Sequence, residues 1–250
     1  MISSLEPARL GRFLRRFIAH ALDRGGLYAR SRADLPRGFD WLLDVERLLT
    51  PSKPLVAFDV GANVGQTTLS IKRQFPTASV HAFEPVHSTF DTLRSAVAHL
   101  PGVFCHNVAL SDENGNRTIS ILPGSVFNSL SPSSWIDQKQ AVQEQVKLIT
   151  LDRFVAENAI GAIDLVKIDT EGHDLAVLTG AKQELSRIGS RCVYVEVTFN
   201  PSNRQNSLFF PILDFLQPLG YRFMGLYEMD FFQINPWDIS FCNALFWKSR

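Results

Sequence analysis

The chain has 250 residues, 45% hydrophobic and 20% charged, enough for one α/β domain with a large core plus an extension. Its 25 basic and 25 acidic residues cancel, so no global field draws nucleic acid and no nucleic-acid partner is expected. Cys105, Cys192 and Cys242 show no zinc spacing, and neither a signal-peptide core nor a bilayer-length apolar run is present, so a cytoplasmic protein with reduced thiols is expected.

Residues 1–50 read as an N-terminal helical extension and 51–250 as the main domain. In the extension, Leu10, Phe13, Leu14, Phe17, Ile18 and Leu22 fall on one helical face and Arg9, Arg12, Arg15 and Arg16 on the rest. Two destinations are open for that helix: peripheral contact with an anionic membrane surface, or packing on the domain or on the second subunit of a homodimer. Packing is the commoner outcome. A loop over Arg24–Arg37 and a short helix over Trp41–Leu49 lead to Pro51-Ser52-Lys53-Pro54.

From Leu55 strands and helices alternate, the pattern of a parallel sheet with helices on both faces. Strands are predicted over Leu55–Val60, Ser79–Phe83, Val103–Ala109, Asp164–Ile168, Arg191–Val197, Tyr221–Leu226 and Asn243–Trp247. Helices are predicted over Gln66–Gln74, Ser88–His99, Leu151–Asn158, Asp174–Arg187 and Ser207–Leu216. The insertion Ser111–Thr150 holds an Asp112–Gly115 turn, a Thr118–Leu122 strand, a Ser129–Ser134 loop and a Val146–Thr150 edge strand.

Within the first unit, Val56–Gly65 runs from an apolar strand into two glycines, and the second strand delivers Glu84. Glycines admit backbone close to a ligand, and a carboxylate at that place accepts hydrogen bonds from ribose hydroxyls. A dinucleotide fingerprint would put a glycine where Asn63 stands. Asp59, just before the turn, would repel a pyrophosphate but suits a ligand with an amino group and a sulfonium. S-adenosylmethionine is therefore favoured over a nicotinamide dinucleotide.

Ligands of open α/β sheets bind outside the carboxyl ends of the strands. There Lys167 and Asp169 share a strand face, and Lys167 in mid-strand needs a partner, Asp169 or Glu171 being the obvious ones. Glu196, near the end of the next strand, faces Asp169 if the strands are neighbours. Base, metal ligand and mere anchor of Lys167 are comparable roles for Glu196, whereas Asp169 reads as a base or substrate-orienting group. A divalent cation remains an option there, but no metal site is predicted. His173 follows a glycine at a helix start, where capping competes with a role as base. Phe209-Phe210, Tyr227 and Phe231-Phe232 read as core more readily than as a stacking platform for a sugar.

These residues taken together resemble the FkbM family of S-adenosylmethionine-dependent methyltransferases. The likeness rests on Phe58–Thr67, Phe83-Glu84-Pro85, Asn107–Asp112 with Gly115, Thr150-Leu151-Asp152, Asp164–Gly172 and Gly180-Ala181, in that order. It implies a class I methyltransferase (Rossmann-like) fold, a seven-stranded, mostly parallel sheet whose last strand, Asn243–Trp247, is antiparallel. It also implies O-methylation of a small molecule or glycan. By position, Asp59, Gly61, Ala62, Asn63, Gly65, Gln66 and Thr67 would border the methionine part of the donor, and Glu84 its ribose. Phe83 and Pro85 would flank the nucleoside, and Val108 and Ala109 would hold adenine. Lys167, Asp169, Glu171 and Glu196 form the expected catalytic set.

Overall fold

The computed structural model describes residues 35–49, 54–121, 142–203, 205–231 and 239–249. The expected helix over residues 10–22, the Ser129–Ser134 loop and Phe232 lie outside the described residues. The chain divides into the units Met1–Asp40 and Trp41–Arg250. In the first, a turn occupies residues 37–38. The second holds every element named below.

A short helix, α1 (Trp41–Leu49), precedes the first strand-helix-strand unit: β1 (Val56–Val60), α2 (Gln66–Gln74) and β2 (Ser79–Phe83). Next come α3 (His87–Val97), β3 (Val103–His106), β4 (Ala109–Leu110), β5 (Gly115–Ile121), β6 (Val142–Ile149) and α4 (Leu151–Glu157). The second half runs β7 (Leu165–Ile168), α5 (Asp174–Thr179), α6 (Lys182–Ser186), β8 (Cys192–Thr198), β9 (Ser207–Leu208), α7 (Phe209–Leu216), β10 (Arg222–Phe231) and β11 (Ile239–Trp247). The main sheet has the order β10-β11-β8-β7-β1-β2-β3. Its five strands from β8 to β3 are parallel, and β11 runs antiparallel to both of its neighbours.

Strand alternation sorts the core onto two faces. Phe58, Val60, Val166, Ile168, Val193 and Val195 pack with Phe154, Val177 and Ile212 on one side. Ala57, Leu165, Cys192, Tyr194 and Leu245 pack with Trp41, Val45, Ile71 and Phe75 on the other. The helix Trp41–Leu49, read from sequence as part of the extension, thus lies in the domain core: Trp41 stacks on Tyr194 at 4.0 Å between centroids. Tyr227 is core as well, its hydroxyl donating to Asp44 at 2.9 Å, and Phe209 is buried, while Phe210 and Phe231 are exposed.

Several boundaries differ from expectation, and three of the differences have a local reason. The strand expected over Val103–Ala109 breaks after His106, where the Asn107 amide turns to donate to the Glu84 and Pro85 carbonyls at 2.9 and 2.8 Å. The chain then enters a second sheet of order β4-β6-β5, whose β5 and β6 are longer than the two short strands expected there. The helix expected over Asp174–Arg187 is two helices. A Cβ on Gly180 would sit 1.9 Å from the Ser111 carbonyl oxygen, so the break lets another backbone pass. Asp152 then accepts from the Gln183 and Glu184 N–H groups at 3.0 and 2.8 Å, satisfying the start of the second helix. Finally, β9 precedes α7. It pairs with β8 at Val197 and Thr198, along the edge that β7 leaves after Ile168.

Candidate active site at the carboxyl edge of the sheet

The turn after β1 is set by backbone. Gly61 and Ala62 donate to the Phe83 carbonyl at 3.1 and 2.9 Å, and Asp169 donates to the Val60 carbonyl at 3.1 Å. Gly61 has φ 72°, and a Cβ there would lie 1.8 Å from the Asp169 carbonyl oxygen. Its glycine is required by the neighbouring strand end, a constraint the sequence reading did not include. Gly65, at φ 98°, caps the start of α2, and a Cβ on it would press on Leu93 and Val97 at 3.1 and 3.3 Å.

A cavity of about 200 Å³ opens above these turns. Its lining includes the expected Gly61, Ala62, Asn63, Gln66 and Thr67 on one side, Phe83, Glu84 and Pro85 on another, and Val108 and Ala109 on a third. Lys167, Asp169 and Glu171 line it too. Thr170, within the stretch from Asp169 to Gly172 expected on the substrate side, and Val60 line it as well, and so do Thr89, Leu110 and Ile119, which the sequence reading missed. Ile119 arrives from the second sheet, so no motif spacing could have signalled it.

Glu84 follows β2 with its side chain fixed on the cavity wall. Asn63 N–H donates to Oε2 at 3.1 Å and Val86 N–H to Oε1 at 2.9 Å. Burial pushes its carboxyl up to about 7, against the opposing pull of those two N–H groups and of Lys167. Each oxygen retains acceptor capacity toward the cavity, the chemistry that two neighbouring hydroxyls require.

Asp59 takes a different place from the one expected. It is fully buried, and neither it nor Gly65 lines the cavity. Thr68 Oγ1 donates to Asp59 Oδ2 at 2.6 Å, and Lys167 Nζ lies 3.3 Å from Oδ1, an ion-pair contact without hydrogen-bond geometry. Strand register explains this: Asp59 pairs with Lys167 across β1 and β7, so their side chains share a sheet face. Lys167 also lies 3.4 Å from Asp169 Oδ2 and donates to the Gly61 carbonyl at 3.1 Å. Burial works against its ammonium, but Asp59 and Asp169 outweigh burial and hold its pKa above the usual value. Asp169 is thus the partner of Lys167 that the sequence suggested, and Asp59 is the one it did not.

Glu196 does not anchor Lys167, nor does it line the cavity. It is buried, accepts from the Asn206 side-chain amide, and is pushed up to about 9 by burial and by Asp169, Asp174 and Glu171. Asp174, at the start of α5, is fully buried and accepts from Thr170 N–H, Thr170 Oγ1 and Ser207 Oγ at 2.9, 2.9 and 2.8 Å. Asn206 and Ser207, brought in by β9, therefore orient two carboxyls of the site, a pairing invisible without the topology. His173 precedes α5 and meets Ser111 Oγ at 3.0 Å; its pKa is lowered, by burial first, and it does not line the cavity. Among the described residues no three His, Cys, Asp or Glu side chains group as a metal site.

Residues 59–223 match the family model described as Methyltransferase FkbM domain. The chain is 29% identical to 31-O-demethyl-FK506 methyltransferase FkbM of Streptomyces tacrolimicus over 51% of its own length and 59% of the relative's. It is 29% identical to hexuronic acid methyltransferase AglP of Haloferax volcanii, covering 64% of each chain. It therefore spans less than two thirds of either relative. Its fold is that of class I methyltransferases: a crystal structure of a methyltransferase FkbM from Methylobacillus flagellatus KT superposes with a TM-score of 0.52 at 13% identity, over 78% of this chain and 43% of that one.

Proposed function

The chain belongs to the FkbM family of methyltransferases, and from that premise we propose that it moves a methyl group from S-adenosylmethionine to a hydroxyl of a sugar, glycoconjugate or secondary metabolite. The observation that carries this reading is Glu84, a carboxylate held by two backbone N–H groups on the wall of a cavity, with acceptor capacity left for a ribose diol. The apolar wall of Val108, Ala109, Leu110 and Ile119 suits an adenine, with Phe83 and Pro85 beside it. Gly61, Ala62, Asn63, Gln66 and Thr67 border the methionine end. The bound donor supplies a methyl carbon that its sulfonium already makes electrophilic. What remains for the chain is to align an acceptor oxygen beside Asp169, Thr170 and Glu171 and to remove its proton. Oxygen as the acceptor atom is supported by the relative named for a 31-O-demethyl substrate, and a sugar acid by the relative named for hexuronic acid.

Calorimetric titration tests the donor. Adenosylhomocysteine should bind and NAD should not, and Glu84→Ala should weaken binding about 100-fold, the loss of roughly two charge-assisted hydrogen bonds. Binding of NAD without binding of adenosylhomocysteine would overturn the reading.

A further inference from the structure

Three hydroxyl side chains line the cavity among the described residues: Thr67 near the start of α2, Thr170 after β7, and Thr89 in the first turn of α3. That turn of α3 is pinned to the second sheet. Glu144 of β6 accepts from His87 N–H at 2.8 Å, and Val86 packs with Ala109, Ile119 and Leu148. Thr89, two residues further on and half-buried, thus belongs to the end of the cavity walled by Val108, Ala109, Leu110 and Ile119.

The Thr89 hydroxyl is uncommitted. Elsewhere on α3, Thr92 Oγ1 and Ser95 Oγ turn back to donate to the Ser88 and Asp91 carbonyls at 3.1 and 2.8 Å, a common resort of a helical hydroxyl. The carbonyl in the equivalent place for Thr89 is that of Pro85, which already accepts from the Asn107 side-chain amide at 2.8 Å. Among the described residues Thr89 makes no hydrogen bond. A group with one donor and two acceptor sites therefore stands on a wall whose other side chains are apolar.

We propose that the Thr89 hydroxyl reads the base of the methyl donor, accepting a hydrogen bond from the 6-amino group of adenine and so selecting an amino-bearing purine. The inference rests on the methyl-donor reading given above. With the ribose at Glu84 and the methionine end at Gly61–Thr67, the base lies against the second-sheet wall. The edge of adenine farthest from its ribose carries the amino donor with acceptor ring nitrogens beside it. Val108, Ala109, Leu110 and Ile119 offer that edge no side-chain acceptor. An amino group desolvated there without a partner would cost more than one neutral hydrogen bond contributes. A hydroxyl can accept from the amino group and donate to the adjoining ring nitrogen at once. The other lining groups have work elsewhere: Asp169 faces Lys167, and Thr170 Oγ1 donates to Asp174.

Isothermal titration calorimetry with adenosylhomocysteine and with its 6-deamino analogue, in which hydrogen replaces the amino group, closes a double-mutant cycle with Thr89→Val. Wild type should bind the analogue roughly 3- to 10-fold more weakly than adenosylhomocysteine, the worth of one neutral hydrogen bond. Thr89→Val should weaken adenosylhomocysteine by that factor and leave the analogue unchanged, bringing the ratio to about 1. Thr89→Ser should restore the ratio, and Thr67→Val, altered at the methionine end, should leave it intact. A ratio that survives in Thr89→Val, the result expected if a main-chain carbonyl takes the amino group, overturns the proposal, as does equal binding of the two ligands by wild type. Because no hydrogen bond within the protein is lost, ligand-free Thr89→Val should melt within about 2 °C of wild type. A drop beyond that would reveal a structural role for the hydroxyl and overturn the proposal too. Failure of wild type to bind adenosylhomocysteine overturns the donor reading, and this assignment with it.

Discussion

Lys167→Met removes at one stroke the cation that serves Asp59, Asp169 and the Gly61 carbonyl. The side chains of Lys167 and Asp59 are 5% and 0% exposed, so the substitution leaves a carboxylate in the core with only the Thr68 hydroxyl to solvate it. Stranding one member of a buried ion pair destabilises by about 3–5 kcal/mol. At about 2–4 °C per kcal/mol for a domain of this size, the melting temperature should drop by roughly 6–20 °C. The double variant Asp59→Asn/Lys167→Met should recover most of that loss, because a neutral pair of similar volume needs no desolvated charge and asparagine still accepts from Thr68. Urea denaturation and thermal melts of the wild type, the single and the double variant measure both steps. A single variant losing less than about 1 kcal/mol, or a double variant no more stable than the single, refutes the reasoning.

Gly61→Ala forces a Cβ onto the Asp169 carbonyl and places alanine at a left-handed φ, so we expect a loss of more than about 2 kcal/mol together with weaker adenosylhomocysteine binding. A variant with wild-type melting and affinity would show that the two strand ends separate freely. Stability should also fall as pH rises from 7 to 9. Glu84 and Glu171 are raised to about 7 and Glu196 to about 9, so each holds a proton in the folded state that the unfolded chain releases. Their stabilisation is complete below the unfolded value near 4.5 and is lost through those folded values, at up to about 1.4 kcal/mol per pH unit for each proton. Glu196→Gln should flatten the urea-midpoint profile above pH 8; a wild-type profile level from pH 7 to 9 would contradict it. His81 and His106, in contact at 3.1 Å and lowered to about 4 by burial, act in the opposite direction. They hold stability above their unfolded value of 6.5 and lose it as pH falls toward 4. His106→Phe should therefore lessen the acid-side loss in the same urea series, and an unchanged profile below pH 6 would argue against it.

The central strands were legible because they are apolar runs covered on both faces: β1, β2, β7 and β8 lie within a residue of their predicted ends. The outer strand β10 was legible only in its first half, since a strand was expected over Tyr221–Leu226 and Arg222–Phe231 is found. It runs ten residues, largely exposed, and its register shifts between Tyr227 and Asp230, with Glu228 at φ 49°. A bulge of that kind erases the period of two that a sequence reader follows. In the site, Glu84 and the lining turns could be read from spacing, since one strand-helix-strand unit brings them together. Asp59 could not be read correctly, because its partner is fixed by the pairing of β1 with β7, two segments far apart in sequence. The same holds for Asn206 on Glu196 and Ser207 on Asp174, which depend on β9 taking the vacated edge of β8.

That two-residue strand sets how the site comes apart. The donor wall is closed by backbone groups at the ends of the central strands. β9 pairs with β8 at two positions, and its detachment withdraws Asn206 and Ser207 in one movement. Two inner carboxyls would then lose their hydrogen-bond donors together while Glu84 keeps both of its own. One short segment thus carries hydrogen bonds to two buried carboxyls, whereas Glu84 draws both of its own from backbone.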